Sequence, residues 1–259
     1  VSDGAKSATY EEIGKNCGII MTILPTAGTV QDVLFGEGGV AGFVQPGTII
    51  IDHSSVTPGE SRECYDRLKA AGAEFLDAPV SGGEPGAVAG KLAIMVGGDE
   101  DVFEKAKPYM EPYAASILLT GGCGSGSVTK LANQIIVNNN IAVVSEALVF
   151  AAKAGADPEK VYMAIRSGLA GSAVLDAKAP MMYNRSFVPG GTIKVNHKDI
   201  TNVVKTAHAI DAPIPYTAQL YEIMQTLKVH GHLMDDHAGI VQYFEALADV
   251  KVEMLWGSF

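Results

Sequence analysis

A tight glycine turn, Gly121-Gly122-Cys123-Gly124-Ser125-Gly126, opens into an apolar helical stretch that carries Lys130 and Asn133 three residues apart. Side chains at that spacing share one helix face. A lysine in the first turn of a helix sits at the positive end of the dipole, which disfavours its charge and lowers its pKa. Such an amine can act as a general acid near neutral pH, with the amide beside it orienting a substrate oxygen. The same position equally suits a surface lysine reaching out from a helix end. The turn is not a dinucleotide fingerprint, because Thr129 stands where a third glycine would be, and it is not a phosphate loop.

Ser81-Gly82-Gly83 follows a strand and the kinked Ala78-Pro79. Two glycines allow close backbone approach, and exposed N–H groups there suit a carboxylate, although an ordinary flexible turn has the same composition. Lys198-Asp199, at the start of a helix after Gly190-Gly191-Thr192-Ile193, is either solvated surface or a cation directed at a phosphate or substrate. The segment His230-Gly231-His232-Leu233-Met234-Asp235-Asp236-His237 holds metal-type ligands, but its histidines share no helical face. It reads as a polar loop or subunit contact, and no metal is expected. No Gly-x-Ser-x-Gly elbow or Cys/His signature supports acyl transfer.

These residues need elements to hold them. Over 18–121 the chain alternates short apolar runs with helical patterns: strands at 18–25, 48–52, 74–79, 92–96 and 116–119, and helices at 29–34, 58–71 and 101–113. Such alternation implies βαβ units and a mostly parallel sheet, mixed at the edge where the last strands crowd together. Ligands bind at the carboxyl ends of such strands. Residues 127–154 form one long helix, roughly 40 Å at 1.5 Å per residue, apolar on most sides. A helix of that kind is buried between domains or subunits, which implies a homo-oligomer. Asp157-Pro158 starts another helix, and more follow near 198–210, 216–228 and 240–247.

The composition agrees. Of 259 residues, 47% are hydrophobic and 19% charged, with 29 Gly and 12 Pro, which is globular rather than disordered or collagenous. Nineteen basic residues against 29 acidic give a net charge of −10, so the surface repels nucleic acid. Cys17, Cys64 and Cys123 are too few and too scattered for a disulfide framework, which fits a reducing cytoplasm. No continuous apolar run reaches a membrane span, and no secretory signal is visible.

Taken together, the motifs resemble those of the β-hydroxyacid dehydrogenase family over essentially the whole chain. Asp77-Ala78-Pro79-Val80-Ser81-Gly82-Gly83 matches its substrate loop, and Gly124, Gly126, Lys130 and Asn133 match its catalytic segment. The resemblance implies an α/β Rossmann-like domain joined by a long helix to an all-α domain. The first is expected over 1–125, binding the dinucleotide but lacking its first βαβ part, since the chain starts at Val1 in mid-domain. The second is expected over 126–259, for substrate and oligomerisation. The implied activity is hydride transfer between NAD or NADP and a small 3-hydroxy acid or semialdehyde, without a metal. Lys130 and Asn133 would be catalytic, and Ser81, Gly82 and Gly83 would bind substrate. Leu24, Pro25, Val56, Lys198 and Asp199 would contact the cofactor. Within the family, Gly168-Leu169-Ala170-Gly171-Ser172 and 175–180 are similar to members acting on tartronate semialdehyde. A 3-hydroxyisobutyrate enzyme is the enzymatic alternative, and a binding or assembly protein the non-catalytic one. The expected assembly is a homodimer or homotetramer.

Overall fold

The computed structural model describes residues 4–254; residues 1–3 and 255–259, which fall in the two expected domain ranges and include the expected mid-domain start, lie outside the described residues. The chain divides into two compact units after Leu131.

In the first unit, α1 (Tyr10–Asn16) precedes three parallel strands: β1 (Ile19–Thr22), β2 (Ile49–Asp52) and β3 (Glu74–Asp77). Their apolar residues do not alternate with polar ones because both sheet faces are covered. On one face Ile20, Ile50 and Phe75 pack against Val30 and Leu34 of α2 (Ala27–Phe35) and Leu68 of α3 (Pro58–Ala70). On the other, Ile49, Ile51 and Leu76 pack against Val102, Phe103, Ala106 and Met110 of α5 (Glu100–Met110). Thr57 caps α3 in a reciprocal box with Glu60, and Pro58 occupies its first turn.

Beyond β3 the chain bends at Ala78-Pro79 and continues as β4 (Val80–Ser81), antiparallel to β5 (Leu92–Gly97), with the six-residue α4 (Gly83–Val88) between them. β6 (Ala114–Gly121) lies parallel to β5. The sheet order is β1-β2-β3-β5-β4, with β6 on β5, so the sheet is parallel at one side and mixed at the other, as expected. Asp77 pairs with Gly97, and Gly97 with Gly121, so the carboxyl ends of β3, β5 and β6 meet.

From there α6 (Ser125–Lys153) starts and runs on into the second unit. That unit is helical: α7 (Pro158–Ile165), α8 (Ala173–Tyr183), α9 (Ile193–Ala209), α10 (Pro215–Val229) and α11 (Val241–Ala248). α7 packs on α8, and α9 on α10. Asp157 caps α7 as expected, accepting from the Glu159 and Lys160 N–H groups. A Rossmann-like sheet domain followed by a long helix and a helical domain is therefore the fold.

Four local expectations need correction. β4, α4 and α8 were absent from the sequence reading: two extended residues, a Gly/Pro-containing turn of helix and a helix interrupted by Pro180 give too little periodicity. α6 starts at Ser125, so Lys130 lies in its second turn, beyond the first turn where the helix dipole acts most strongly. α9 starts at Ile193, so Lys198-Asp199 is likewise a second-turn pair. By length and composition α6 could also cross a membrane, contrary to the expectation of no such run. Asn138 and Ser145, both fully buried, bond back to the Gln134 and Ile141 carbonyls, and 44% of its most apolar window is buried within the protein. The buried polar side chains mark the face of α6 that packs inside the protein.

Candidate active site

Asp77, the last residue of β3, fixes where α6 begins. Its buried carboxylate accepts from the Gly124 N–H at 2.7 Å and from the Ser127 N–H at 2.7 Å. It thereby caps the first turn, whose N–H groups have no partner within the helix. Burial pushes the Asp77 carboxyl above its ordinary value, against the pull of those two donors. Gly126 completes the seat: a Cβ there would fall on the carbonyl oxygens of Asp77 and Met95. Gly124 has φ +89°, a conformation that favours glycine. The two motif glycines thus let a helix start directly on the strand ends, and Lys130 follows at a fixed offset. Ser61 of α3 and Ser127 add a buried hydroxyl pair at 2.9 Å.

The loops after β1 and β2 form one shelf. The Leu24 N–H donates to Ser54 Oγ at 2.8 Å, while Asp52 accepts from Thr22 Oγ1 and from the Ser54 N–H. Leu24 and Val56 share one apolar cluster; Pro25 is exposed beside them. His53 joins this shelf to the segment leading to Ser81. Burial holds its imidazole below the ordinary value, so at neutral pH it carries one proton. The Nδ1–H donates to the Ala78 carbonyl at 2.6 Å and Nε2 accepts from the Tyr113 hydroxyl at 2.9 Å. Ser81 is in β4, whereas Gly82 (φ +134°) and Gly83 (φ +59°) are exposed at the turn into α4. Half-buried Leu24 and exposed Pro25 are the apolar surface of these loops that a flat ring could lie against, with Val56 in the core beneath.

In the second unit Asn133, Lys198 and Asp199 come together through a residue that was not a candidate. Asn133 Nδ2 donates to Gln134 Oε1 at 3.0 Å, and Gln134 Nε2 donates to Asp199 Oδ2 at 2.7 Å. Lys198 Nζ stands 3.1 Å from Asp199 Oδ1. Gln134, Asp199 and Asn196 are buried.

The 230–237 segment is a polar clamp. Asp236 is completely buried and accepts from Lys178 Nζ and the N–H groups of Ala238, Gly190 and Gly191. Burial alone would raise its carboxyl, but the Ala238 N–H and Lys178 hold it below its ordinary value. Among the described residues no group of three or more His, Cys, Asp or Glu is placed to hold a metal. Asp77, His53, Gln134 and Asp236 were not read as site or support residues from the sequence. Apart from Asn133 beside Gln134 and Ala238 beside Asp236, their partners lie 25 to 65 positions away, and only Asp77, ending an apolar run before Ala-Pro, carried a local signal.

Residues 2–122 match the family described as the NAD binding domain of 6-phosphogluconate dehydrogenase, and residues 124–244 that described as NAD-binding of NADP-dependent 3-hydroxyisobutyrate dehydrogenase. The chain is similar to a 2-hydroxy-3-oxopropionate reductase of Escherichia coli (strain K12), 42% identical over 253 residues, which cover 97% of this chain and 87% of that one. A 2-(hydroxymethyl)glutarate dehydrogenase of Eubacterium barkeri is 32% identical over 97% of this chain and 84% of its own. Among solved structures, a Mycobacterium tuberculosis 3-hydroxyisobutyrate dehydrogenase with L-serine superposes with TM-score 0.83 at 27% identity, covering 90% of this chain and 81% of that one.

Proposed function

The chain belongs to the β-hydroxyacid dehydrogenase family of NAD(P)-dependent oxidoreductases, that of 3-hydroxyisobutyrate dehydrogenase, and on that premise we propose that it reduces tartronate semialdehyde (2-hydroxy-3-oxopropanoate) to D-glycerate. The observation that carries the substrate is the 42% identity, across 97% of the chain, to a protein named for that reaction. The 2-(hydroxymethyl)glutarate relative, also matched over 97% of the chain, is the reason a substrate assay decides the matter.

A bound dihydronicotinamide supplies the hydride that reaches the aldehyde carbon. The chain supplies the rest. Lys130 Nζ gives a proton to the carbonyl oxygen as its charge develops, leaving a neutral amine that solvent reprotonates. Asn133 orients that oxygen or its neighbouring hydroxyl, and backbone N–H groups of Ser81, Gly82 and Gly83 take the carboxylate. Leu24, Pro25, Val56, Lys198 and Asp199 are the cofactor contacts of this reading. Replacing Lys130 by Ala lowers kcat by about a hundredfold, the scale of a lost general acid. A variant within threefold of wild type would remove Lys130 from the mechanism.

The working protein in this reading is a homo-oligomer in a reducing, cytoplasmic setting. Ala132, Ile136, Val143, Ala147 and Phe150 are all exposed on one face of α6. That stripe is about 27 Å long at 1.5 Å per residue, with Glu146 and Lys153 only at its margin. A second copy of the same uncharged stripe is its natural cover. The test of the function is initial rate on tartronate semialdehyde and methylmalonate semialdehyde, with NADH and NADPH each offered. Preference for the first supports the reading, and preference for the second replaces it with the 3-hydroxyisobutyrate reaction.

A further inference from the structure

Gln134 has no part in the reaction set out above, yet it is buried between two residues that do, Asn133 and Asp199. Its Nε2 donates to Asp199 Oδ2 at 2.7 Å and lies 3.4 Å from Asn196 Oδ1, while its Oε1 accepts from Asn133 Nδ2 at 3.0 Å. The carboxylate decides which way this amide points. A carboxylate oxygen accepts, so the Gln134 NH2 group faces Asp199 and the Gln134 oxygen faces Asn133. That oxygen in turn can only accept, so Asn133 turns its NH2 group towards Gln134. Its own oxygen is left on the other side. A chain of two amides thus transmits the polarity of a buried carboxylate to the end that Asn133 offers a substrate.

We propose that Gln134 is a positioning residue that fixes the amide polarity of Asn133 and couples it to the Lys198–Asp199 pair. The proposal rests on the reading that Asn133 orients the substrate. An apolar residue of similar volume could fill the same space but could not carry the polarity.

Two substitutions separate positioning from packing. Gln134→Leu keeps the volume and removes the bonds to Asp199, Asn196 and Asn133; kcat/KM on the semialdehyde that wild type turns over should fall by about tenfold to a hundredfold at every pH, as when a bond to a charged group is lost. Gln134→Glu keeps the shape but exchanges the donor for a carboxyl facing Asp199. Two adjacent buried carboxylates cannot both ionise, so the pair holds a proton up to a raised apparent pKa. Below that pKa the introduced carboxyl donates to Asp199 and accepts from Asn133, as the amide does. Above it the donor is gone. Relative to wild type at the same pH, the expected result is near-equal kcat/KM at about pH 5.5 and a loss of about tenfold by about pH 8.

A second readout needs no cofactor. The native pair binds its proton more tightly than the unfolded chain, so the Tm of Gln134→Glu relative to wild type should rise as pH falls through the same range. A loss in Gln134→Glu that does not vary with pH, or both variants within twofold of wild type throughout, would overturn the proposal. If Gln134→Leu does not fold, the Gln134→Glu series decides alone. Turnover of methylmalonate semialdehyde instead of tartronate semialdehyde would overturn the substrate reading while leaving both pH tests of Gln134 intact.

Discussion

The Asp77 cap places Lys130, and removing it should loosen the start of α6 more than any other single change nearby. In Asp77→Ala the N–H groups of Gly124 and Ser127 each lose a 2.7 Å bond to a carboxylate in a buried setting. A lost N-cap costs about 0.5–2 kcal/mol, and a buried donor left without a partner about 1–3 kcal/mol. Burial already disfavours the ionised Asp77 in the folded protein, and removing that charge offsets part of the loss. The net destabilisation is about 3 kcal/mol, or a Tm about 10 °C lower for a chain of this length. Asp77→Asn keeps one acceptor but opposes its NH2 group to the second N–H, so it should fall between wild type and Asp77→Ala. The assay is differential scanning fluorimetry together with amide hydrogen exchange, because Gly124 and Ser127 should lose protection specifically. Unchanged exchange at those two amides, with a Tm within about 2 °C of wild type, would refute the capping argument.

The other predictions concern the same seat and the clamp of the second unit. Gly126→Ala puts a methyl group onto the carbonyl oxygens of Asp77 and Met95; it should cost about 1–3 kcal/mol in Tm measurements and lower kcat, because the first turn of α6 must move. Burial, with Lys178 nearby, pushes the His237 imidazole down to about 4 against the opposing pull of Asp236. Between about pH 6.5 and 4 the unfolded chain therefore takes up a proton that the native state refuses. Stability present above pH 6.5 is lost on acidification across that window, by about 3 kcal/mol from this residue. His53, whose pKa is also lowered, acts in the same direction. Thermal unfolding from pH 7 to about 4.5 should show a flatter profile in His237→Gln, and identical profiles would remove His237 as the cause.

Much of the frame was legible in the sequence because parallel strands buried on both faces leave unbroken apolar runs. Ile49-Ile50-Ile51 and Phe75-Leu76 are of that kind, and both lie in the core. The long helix was legible from its length and lack of Gly and Pro, but its start was not. Gly126 reads as part of a turn, whereas it is glycine because the helix sits directly against two strand carbonyls. The same limit hid the supports of the site. Lys130 and Asn133 are neighbours on one helix, so spacing relates them. Asp77 lies 47 and 50 positions from its partners, and Gln134 lies 65 from Asp199, distances that only the folded chain closes. The 230–237 segment shows the converse: composition marks it as a polar loop, but only the fold shows that Asp236 ties that loop to Lys178 and to the Gly190 N–H.

The most direct test of the account follows the hydride itself. The protein is given tartronate semialdehyde with dihydronicotinamide cofactor deuterated at C4 on both positions, and the product is read by mass spectrometry and NMR. The account predicts glycerate with one deuterium on C3, the former aldehyde carbon, formed at least about a hundredfold more slowly by Lys130→Ala. Unlabelled glycerate, or cofactor left unconsumed with this substrate while another hydroxy acid pair is labelled, would contradict it.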